Sequence, residues 1–532
     1  MSIKLKRHYR LLILFVGLIL FFVLAFGETR IIAYTTGTND VAQIAGVNYD
    51  NSIDLFDDTV IHEITIVMSP ADYDTMIETY VETGEKDFFS ADIIIDDVRV
   101  NNVGIRLKGN STLFSLRPPG FEGNMPLPPG FDREMPFDPD NLPPGFDGKM
   151  PFDPDNLPPG FDGKMPFDPD NLPPGFDGKI PFDLDNLPPG FEIPSFFNNQ
   201  ELPFLIKFDE YELGQRYQDY AEIALRVRGH SGDDALLSEL LTCYLYRSAG
   251  QRAPQAAYAG ISMNGETASL YVVAEHIDEL YVEKHFPGSD GVLYKAQLGG
   301  NFYYRGQDPT EYTQGFEQKT NVNDEDFAPL IEFIRFVNEA TDEEFERDLS
   351  QYLDVDSFAT YLALNNLVVN MDSLGGNGNN YYLYYNPDSE QFTVLVWDMN
   401  ESFGQFWFSN DPNYALDPSY KNVQSNRQNS TNDFAPNLGL GSFHWNHLLK
   451  RRCLENAQFR ALYEETYQAL FEKIYGQDLI SAKIDQLSAL FGRENEQRNL
   501  FDQATYDKGI ARSNEFVSQR ETFLLSLPLL GK

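Results

Sequence analysis

Cysteine is nearly missing from this 532-residue chain, which has only Cys243 and Cys453. Two thiols exclude a disulfide-dense scaffold and any Cys-rich zinc module, and leave room for at most one bridge. Positive charge is also scarce: 40 Lys and Arg face 81 Asp and Glu, for a formal net charge of −41. Sequence-independent binding of DNA or RNA needs clustered cations along the phosphate backbone, so no nucleic-acid partner is expected. The seven histidines form no H-x-x-x-H pair, which removes the helical zinc-protease motif, and no G-x-S-x-G marks a serine-hydrolase elbow. Apolar material is not lacking. At 42% hydrophobic and 14% aromatic, the chain can build a sizeable core. Its length suits two to four domains, or one large core with insertions.

The first residues carry a compartment signal. Lys4, Lys6, Arg7 and Arg10 precede an uncharged apolar run from Leu11 to Phe26. A basic flank before a short apolar run is the pattern of a secretory signal or an N-terminal anchor, so residues 1–27 are assigned that role and the rest is expected outside the cytoplasmic membrane. Residues 28–60 are polar and weakly patterned and read as a linker. Alternating text begins at Ile61 with IHEITIVM, and SPADYDTMIETY follows as a helix. ADIIIDDVRVNNVGIRLKGNST reads as a hairpin turning at Asp96-Asp97 or at Asn101-Asn102.

Residues 115–202 interrupt this pattern. LPPGFDGKMPFDPDN recurs with a period of 15, and Pro-Pro-Gly ends at Gly130, Gly145, Gly160, Gly175 and Gly190. Paired prolines fix φ and remove donors, so neither a helix nor an interior strand runs through. A spacer is the plain reading, and a cation- or partner-binding repeat is the sharper one. The acids lack the twelve-residue calcium-loop pattern. From Phe114 to Leu202 there are 16 acids and 5 bases, so the repeat holds −11 of the net charge and does not by itself explain the acidity. Globular text resumes at Pro203 and runs to about residue 530. PFLIKFDEY is a strand, ALLSELLTCYLYRSAG a helix stopped by Gly250, and YAGISMNGETASLYVVAEHID a hairpin around Asn264-Gly265. Residues 325–350, 356–371 and most of 442–530 read as helix. With residues 61–114 completing the first part, the expectation is an α+β fold, β-rich in its first part and helical in its second.

Chemistry concentrates between Asn370 and Gly404. Asp372 ends an apolar helix, a Gly/Asn-rich loop with Asn377, Asn379 and Asn380 follows, and a strand pair leads to Trp397-Asp398. Phosphoryl transfer needs an acceptor for the incoming hydroxyl proton and oxygen ligands for Mg²⁺ on the triphosphate. An Asp on a loop, an amide oxygen and a second Asp after a hairpin supply those in kinase order. The five-residue step from Asp372 to Asn377 also equals the D-x-x-x-x-N step of kinase catalytic loops. On spacing alone, the same Asn and Gly residues suit an ordinary turn.

Several separated stretches resemble the CotH family, the spore-coat-protein-H-like atypical protein kinases of bacterial surfaces. They are EITIVMSPADYDTM, NVGIRLKGNST, PFLIKFDEY, LLSELLTCYLYRSAG, ISMNGETASLYVVAEHID, GVLYKA and the NMDS…NNYYLY…VWDMNESFG block, spread from about residue 61 to 525. The resemblance implies a divergent protein-kinase-like fold that binds ATP with Mg²⁺ or Mn²⁺ and phosphorylates hydroxyls of surface or coat proteins. By position, Asp372 matches the family's catalytic Asp and Asp398 its metal-binding Asp. Asn380, just before YYLY, matches a second metal ligand, whereas kinase spacing points to Asn377; the alignment is preferred. Lys207, on the strand LIKF, is the candidate to meet the α- and β-phosphates, with Glu239 as its acidic partner. Lys108 and Asn110 belong to a turn able to cradle phosphate through backbone N–H groups, and Glu275 marks the adenine hinge. Lys108 stands where the family often has Arg, Ser269 replaces a usual Gly, and the repeat follows the Gly-Asn-Ser turn directly. The competing expectation is a non-catalytic surface, adhesion or envelope protein that binds a partner or cations.

Overall fold

The computed structural model describes residues 46–109, 111–113, 116, 201–228, 233–297, 300–376, 380–405, 412–414 and 447–530. The expected leader or anchor, the repeats, Asn110 and Asn377 lie outside these residues. Among those described, no helix is long and apolar enough to cross a membrane.

The alternating segments of the first part close into a barrel. Its strands are β2 (Ile61–Met68), β3 (Phe89–Ile95), β4 (Val98–Leu107), β5 (Phe204–Lys207), β7 (Glu222–Arg226), β8 (Ala256–Met263) and β9 (Ser269–Glu275), in the order β2-β3-β4-β5-β7-β9-β8. Neighbours run antiparallel except β2 and β8, whose parallel pairing closes the ring. Inward positions are apolar on every strand, as period-2 patterning requires: Ile64, Ile66, Ile93, Ile105, Leu107, Ile206, Ile223, Leu225 and Val273 share one core. The β3–β4 turn falls at Asp96-Asp97, both with positive φ, and the β8–β9 turn at Asn264-Gly265. The first is a two-residue hairpin loop, and Asn264-Gly265 forms a tight turn, closed by Glu266 N on the Met263 carbonyl, inside the longer β8–β9 connection. Asn102 also has positive φ but lies within β4.

One boundary differs from expectation. Residues 46–60 are part of the barrel body and not a linker. There β1 (Asn48–Tyr49) pairs in parallel with β6 (Arg216–Tyr217), and Leu55 and Phe56 are buried in the barrel core. The repeat lies between antiparallel neighbours β4 and β5. Leu107 pairs with Phe204, and Lys108 N donates to the Pro203 carbonyl, so the insertion leaves and re-enters at the mouth of a closed hairpin.

Helix α1 (Pro70–Thr83) packs on the barrel, and α2 (Ser238–Ser248) follows β7. The helix read from Ala235 in the sequence starts later. The structure begins it at Ser238 because both carboxylate oxygens of Asp233 accept from Leu237 N and Ser238 N, with Leu236 at positive φ. After α3 (Glu279–His285), a four-stranded sheet forms in the order β11-β10-β12-β13, from β10 (Val292–Ala296), β11 (Phe316–Gln318), β12 (Tyr381–Asn386) and β13 (Gln391–Val396). The remaining elements are helical: α4 (Ala328–Glu339), α5 (Asp342–Tyr352), α6 (Val355–Leu367), α7 (Leu448–Glu455), α8 (Ala457–Phe471), α9 (Leu479–Arg498) and α10 (Gln503–Leu525). A Thr341/Glu344 capping box starts α5, and the apolar faces of these helices share one large core with the sheet. The fold is α+β, with the β-rich part first. Cys243 and Cys453 are buried free thiols in that core, so the one conceivable bridge is absent.

Candidate functional site

The loop carrying Asp372 is fixed from below by distant parts of the chain. Helix α6 supplies Tyr361, whose hydroxyl accepts from Leu374 N at 3.2 Å, and Ser373 Oγ donates to the Asn370 carbonyl. Lys450, buried on α7, donates to the Gly375 carbonyl. A Cβ on Gly376 would sit 1.8 Å from the Met371 carbonyl oxygen, so the loop folds back only because that residue is glycine. Arg520 of α10 is fully buried and donates to the carbonyls of Asn366 and Leu367, at the end of α6, and to those of Pro412 and Tyr414. An arginine so deep is tolerated because acceptors surround its donors.

The β12–β13 hairpin brings the other two groups to the same place. Tyr381 pairs with Val396, so Asn380, just before β12, and Asp398, just after β13, emerge at one end of the hairpin. Asn380 Nδ2 donates to Asp372 Oδ2. Asp398 Oδ1 lies 2.5 Å from Arg226 Nη1. The backbone is bent into an uncommon region around this point: Val369, Asn380, Asp398 and Phe403 have φ of 53°, 46°, 56° and 58°. Positive φ at a β-branched valine and an aspartate costs energy and persists only where the surroundings over-determine it, a condition concentrated at functional sites. Asp372, Asn380 and Asp398 therefore converge.

The outer face of the barrel supplies positive charge. Strand pairing puts Arg106, Lys207, Glu222 and Arg226 on the same face of β4, β5 and β7, opposite the apolar interior. Arg226 Nε lies 2.8 Å from Glu239 Oε2 on α2, so its guanidinium joins Glu239 to Asp398. Both Lys108 Nζ and the Arg226 guanidinium lie over the Trp397 ring, at 5.0 Å and 4.9 Å from its centroid. Lys86 donates to the Gly109 carbonyl, at a glycine with φ of 99°.

One sequence expectation fails here. Lys207 does not meet Glu239. It sits opposite Glu222, at the other end of β7 from Arg226, and pairs with Glu210 at 3.0 Å. The register of β5 on β7 decides this, and it gives the Glu239 partnership to Arg226. Glu275, the expected hinge group, has its carboxylate taken by Gln255 N at 2.9 Å and Lys284 at 3.0 Å, so the side chain fastens β9 to β8 and α3. Arg226, Lys86, Arg106 and Lys295 (on β10) were missed by sequence reasoning. The alternation Arg106-x-Lys108 in VGIRLKG and Glu222-x-Ala224-x-Arg226 in EIALR was the available signal.

Charge is strongly perturbed across the face. Burial, then Arg226, Lys295 and Arg106, pushes the Lys108 ammonium well below the usual lysine value, with Asp398 opposing. Burial and Lys319 push Lys295 down, and burial with Arg106 and Lys295 brings Lys86 to about 8. Burial also works against charge on Arg226, but Asp398 and Glu239 outweigh it and hold the guanidinium above its usual value. Glu239 is pushed upward by burial, with Arg226 opposing. Glu222 stays ionised, at about 2: burial opposes its charge, and His276, Lys207 and Lys108 outweigh that.

Among the described residues, no group of three or more His, Cys, Asp and Glu could hold a metal ion by itself. A magnesium ion bound together with a polyphosphate needs no such group, because it takes one or two protein oxygens and fills the rest from phosphates and water. A donor set of the Asp398 carboxylate and the Asn380 amide oxygen, facing a cation-rich strand surface, fits that pattern.

The family model described as CotH kinase protein matches residues 195–524, beginning at the end of the repeat and so leaving out β2 to β4. Inner spore coat protein H of Bacillus subtilis (strain 168) is 23% identical over 300 residues, which covers 55% of this chain and 75% of that protein.

Proposed function

For a chain that belongs to the CotH family, we propose an atypical protein kinase with a divergent kinase-like fold, transferring the γ-phosphoryl group of ATP to Ser or Thr hydroxyls of surface or coat proteins. The observation that carries this reading is the convergence of Asp372, Asn380 and Asp398 beneath a barrel face bearing Lys108 and Arg226. Asp372 orients the acceptor hydroxyl and takes its proton, held in place by the Asn380 amide. Asp398 and the Asn380 oxygen would hold Mg²⁺ or Mn²⁺, which when bound would neutralise charge on the phosphates. Arg226 ties the metal-binding aspartate to Glu239, so a cation links helix α2 to the reaction centre. Positioning and electrostatics suffice for this reaction, which asks for little covalent chemistry from the protein.

The spore-coat name of the Bacillus relative supports a substrate in the coat or envelope. A leader or anchor in residues 1–27 would place the enzyme there. The test is transfer of labelled phosphate from ATP, with Mg²⁺ or Mn²⁺, by protein lacking residues 1–27. Wild type should label itself or a generic acceptor, and Asp372→Ala and Asp398→Ala should each abolish labelling. Equal labelling by all three would overturn the site, and absence of ATP binding by calorimetry would favour the non-catalytic surface protein.

A further inference from the structure

Like charges in a cleft raise one another's energy, and a fold keeps them there only if something opposes them. In a chain of net charge −41, Lys108 and Arg226 lie over the Trp397 ring at 5.0 Å and 4.9 Å from its centroid, and Lys295 lies across β12 from Leu395, two residues before Trp397 on the same side of the sheet. Arg226 has two carboxylate partners, Glu239 and Asp398, yet its Nη2 is buried with no hydrogen-bond partner among the described residues. Lys108 and Lys295 have neither an ion pair nor a side-chain hydrogen bond among the described residues, although acids outnumber bases two to one in the chain. Asp398, which acts on both, is held by Arg226 at 2.5 Å, while Glu222 and Glu239 act on Lys108 and the cross-strand Glu317 on Lys295 without forming an ion pair with them among the described residues.

The three cations come from three elements. Lys108 follows β4 at the hairpin mouth, Arg226 ends β7, and Lys295 lies on β10 in the second sheet. Lys295 pairs across to Tyr382, two residues after Asn380, which puts it beside the Asp398 hairpin and not on the barrel. Trp397 fills the space under Lys108 and Arg226 and gives them a flat apolar floor.

We infer that Lys108, Arg226 and Lys295 form a polyphosphate clamp across this cleft, in which Lys108 and Lys295 meet phosphate oxygens and Arg226 is a positioning counter-ion that holds Asp398 until phosphate and metal arrive. The clamp rests on the kinase reading for its ligand, but its chemistry recognises a chain of phosphates whatever is attached to it. It also moves the phosphate-binding lysine away from Lys207. Arginine suits the joining position because its fork can hold two carboxylates at once, which an ammonium on the same strand does less well.

The probes are inorganic tripolyphosphate and adenosine, each titrated calorimetrically into the folded chain with and without Mg²⁺. Wild type should bind tripolyphosphate, and tripolyphosphate should compete with ATP. Lys108→Met and Lys295→Met should each weaken tripolyphosphate binding at least tenfold and leave adenosine binding unchanged. Their melting temperatures should stay level or rise, because removing one of several mutually repelling charges relieves the fold. A merely structural lysine would instead lower the melting temperature and leave tripolyphosphate binding intact, which overturns the clamp. Arg226→Lys, which keeps the charge, should retain tripolyphosphate binding better than Arg226→Met.

The two proposals separate cleanly. Tripolyphosphate binding that the lysine variants lose, with no phosphate transfer to any protein, keeps the clamp and removes the kinase. Transfer by wild type with tripolyphosphate binding unchanged in both variants keeps the kinase and removes the clamp. Binding of neither probe nor ATP removes both.

Discussion

The barrel and the helical part of this molecule bring opposite signs to one place. The barrel offers Lys86, Arg106, Lys108 and Arg226 on or beside its outer face, while the second part offers Asp372, Asn380 and Asp398 on loops braced by helices. Each part has its own apolar core. Neither satisfies its functional charges alone. The Arg226–Asp398 contact is where the two sets meet, and Glu239 extends it to α2. The lesson is that stability and function are divided within single strands. On β7, Ile223 and Leu225 face the barrel core, while Glu222 and Arg226 face the site.

The strongest test of this division removes a charge from the helical part. Asp372→Ala should lower phosphotransfer by about a thousandfold or more, as loss of a group acting in the transition state does, with little change in melting temperature. Next in size is a brace. Arg520→Met should cost about 3 kcal/mol of stability by stranding the carbonyls of Asn366 and Leu367, read by urea unfolding, and transfer should fall with it because those carbonyls end the helix before the Asp372 loop. A stable Arg520→Met protein with full activity would separate the brace from the site.

A third test works through pH. Burial, then Glu222, pushes Asp278 at the start of α3 up to about 8, while its contact with Tyr281 N opposes the shift. The folded state thus keeps a proton that the unfolded chain releases above about pH 4, so this group's stability contribution is full in acid and declines as pH rises toward 8. Asp278→Asn keeps a capping side chain and should flatten that decline, leaving the variant more stable than wild type at pH 8 by about 1–3 kcal/mol. Chemical denaturation at pH 5 and pH 8 checks the slope. The smallest effect expected is at Lys207. Its pair with Glu210 is partly exposed, so Lys207→Met should change stability by less than about 1 kcal/mol and leave transfer within twofold. Loss of transfer there would restore Lys207 as the phosphate lysine and break the assignment to Lys108.

What was legible in the sequence follows from range. Asp372, Asn380 and Asp398 were placed together by resemblance to the CotH family; spacing alone suited an ordinary turn and pointed to Asn377, and the short hairpin that joins Asn380 to Asp398 is the part local patterning announces. The turn at Asn264-Gly265 was legible, and Asp96-Asp97 was one of two candidates with Asn101-Asn102, because residue chemistry fixes such turns locally. The Arg226–Glu239 pair was not, because it depends on which strand lies beside β5 and in what register, and one four-residue offset along β7 separates Glu222 from Arg226. The polar look of residues 46–60 hid two apolar residues, Leu55 and Phe56, whose burial among Asp neighbours no periodicity announces.

The hairpin that carries the repeat is sealed at its base by the Leu107–Phe204 pairing and the Lys108–Pro203 bond. The register of β4 on β5 is therefore the same whatever length of chain lies beyond the seal. The entropy of closing a loop grows only with the logarithm of its length, about 0.6 kcal/mol per doubling. Units of 15 residues can thus be gained or lost one at a time during descent with almost no penalty to the barrel, and the count of repeats is free to drift or to be selected independently of the site at its mouth.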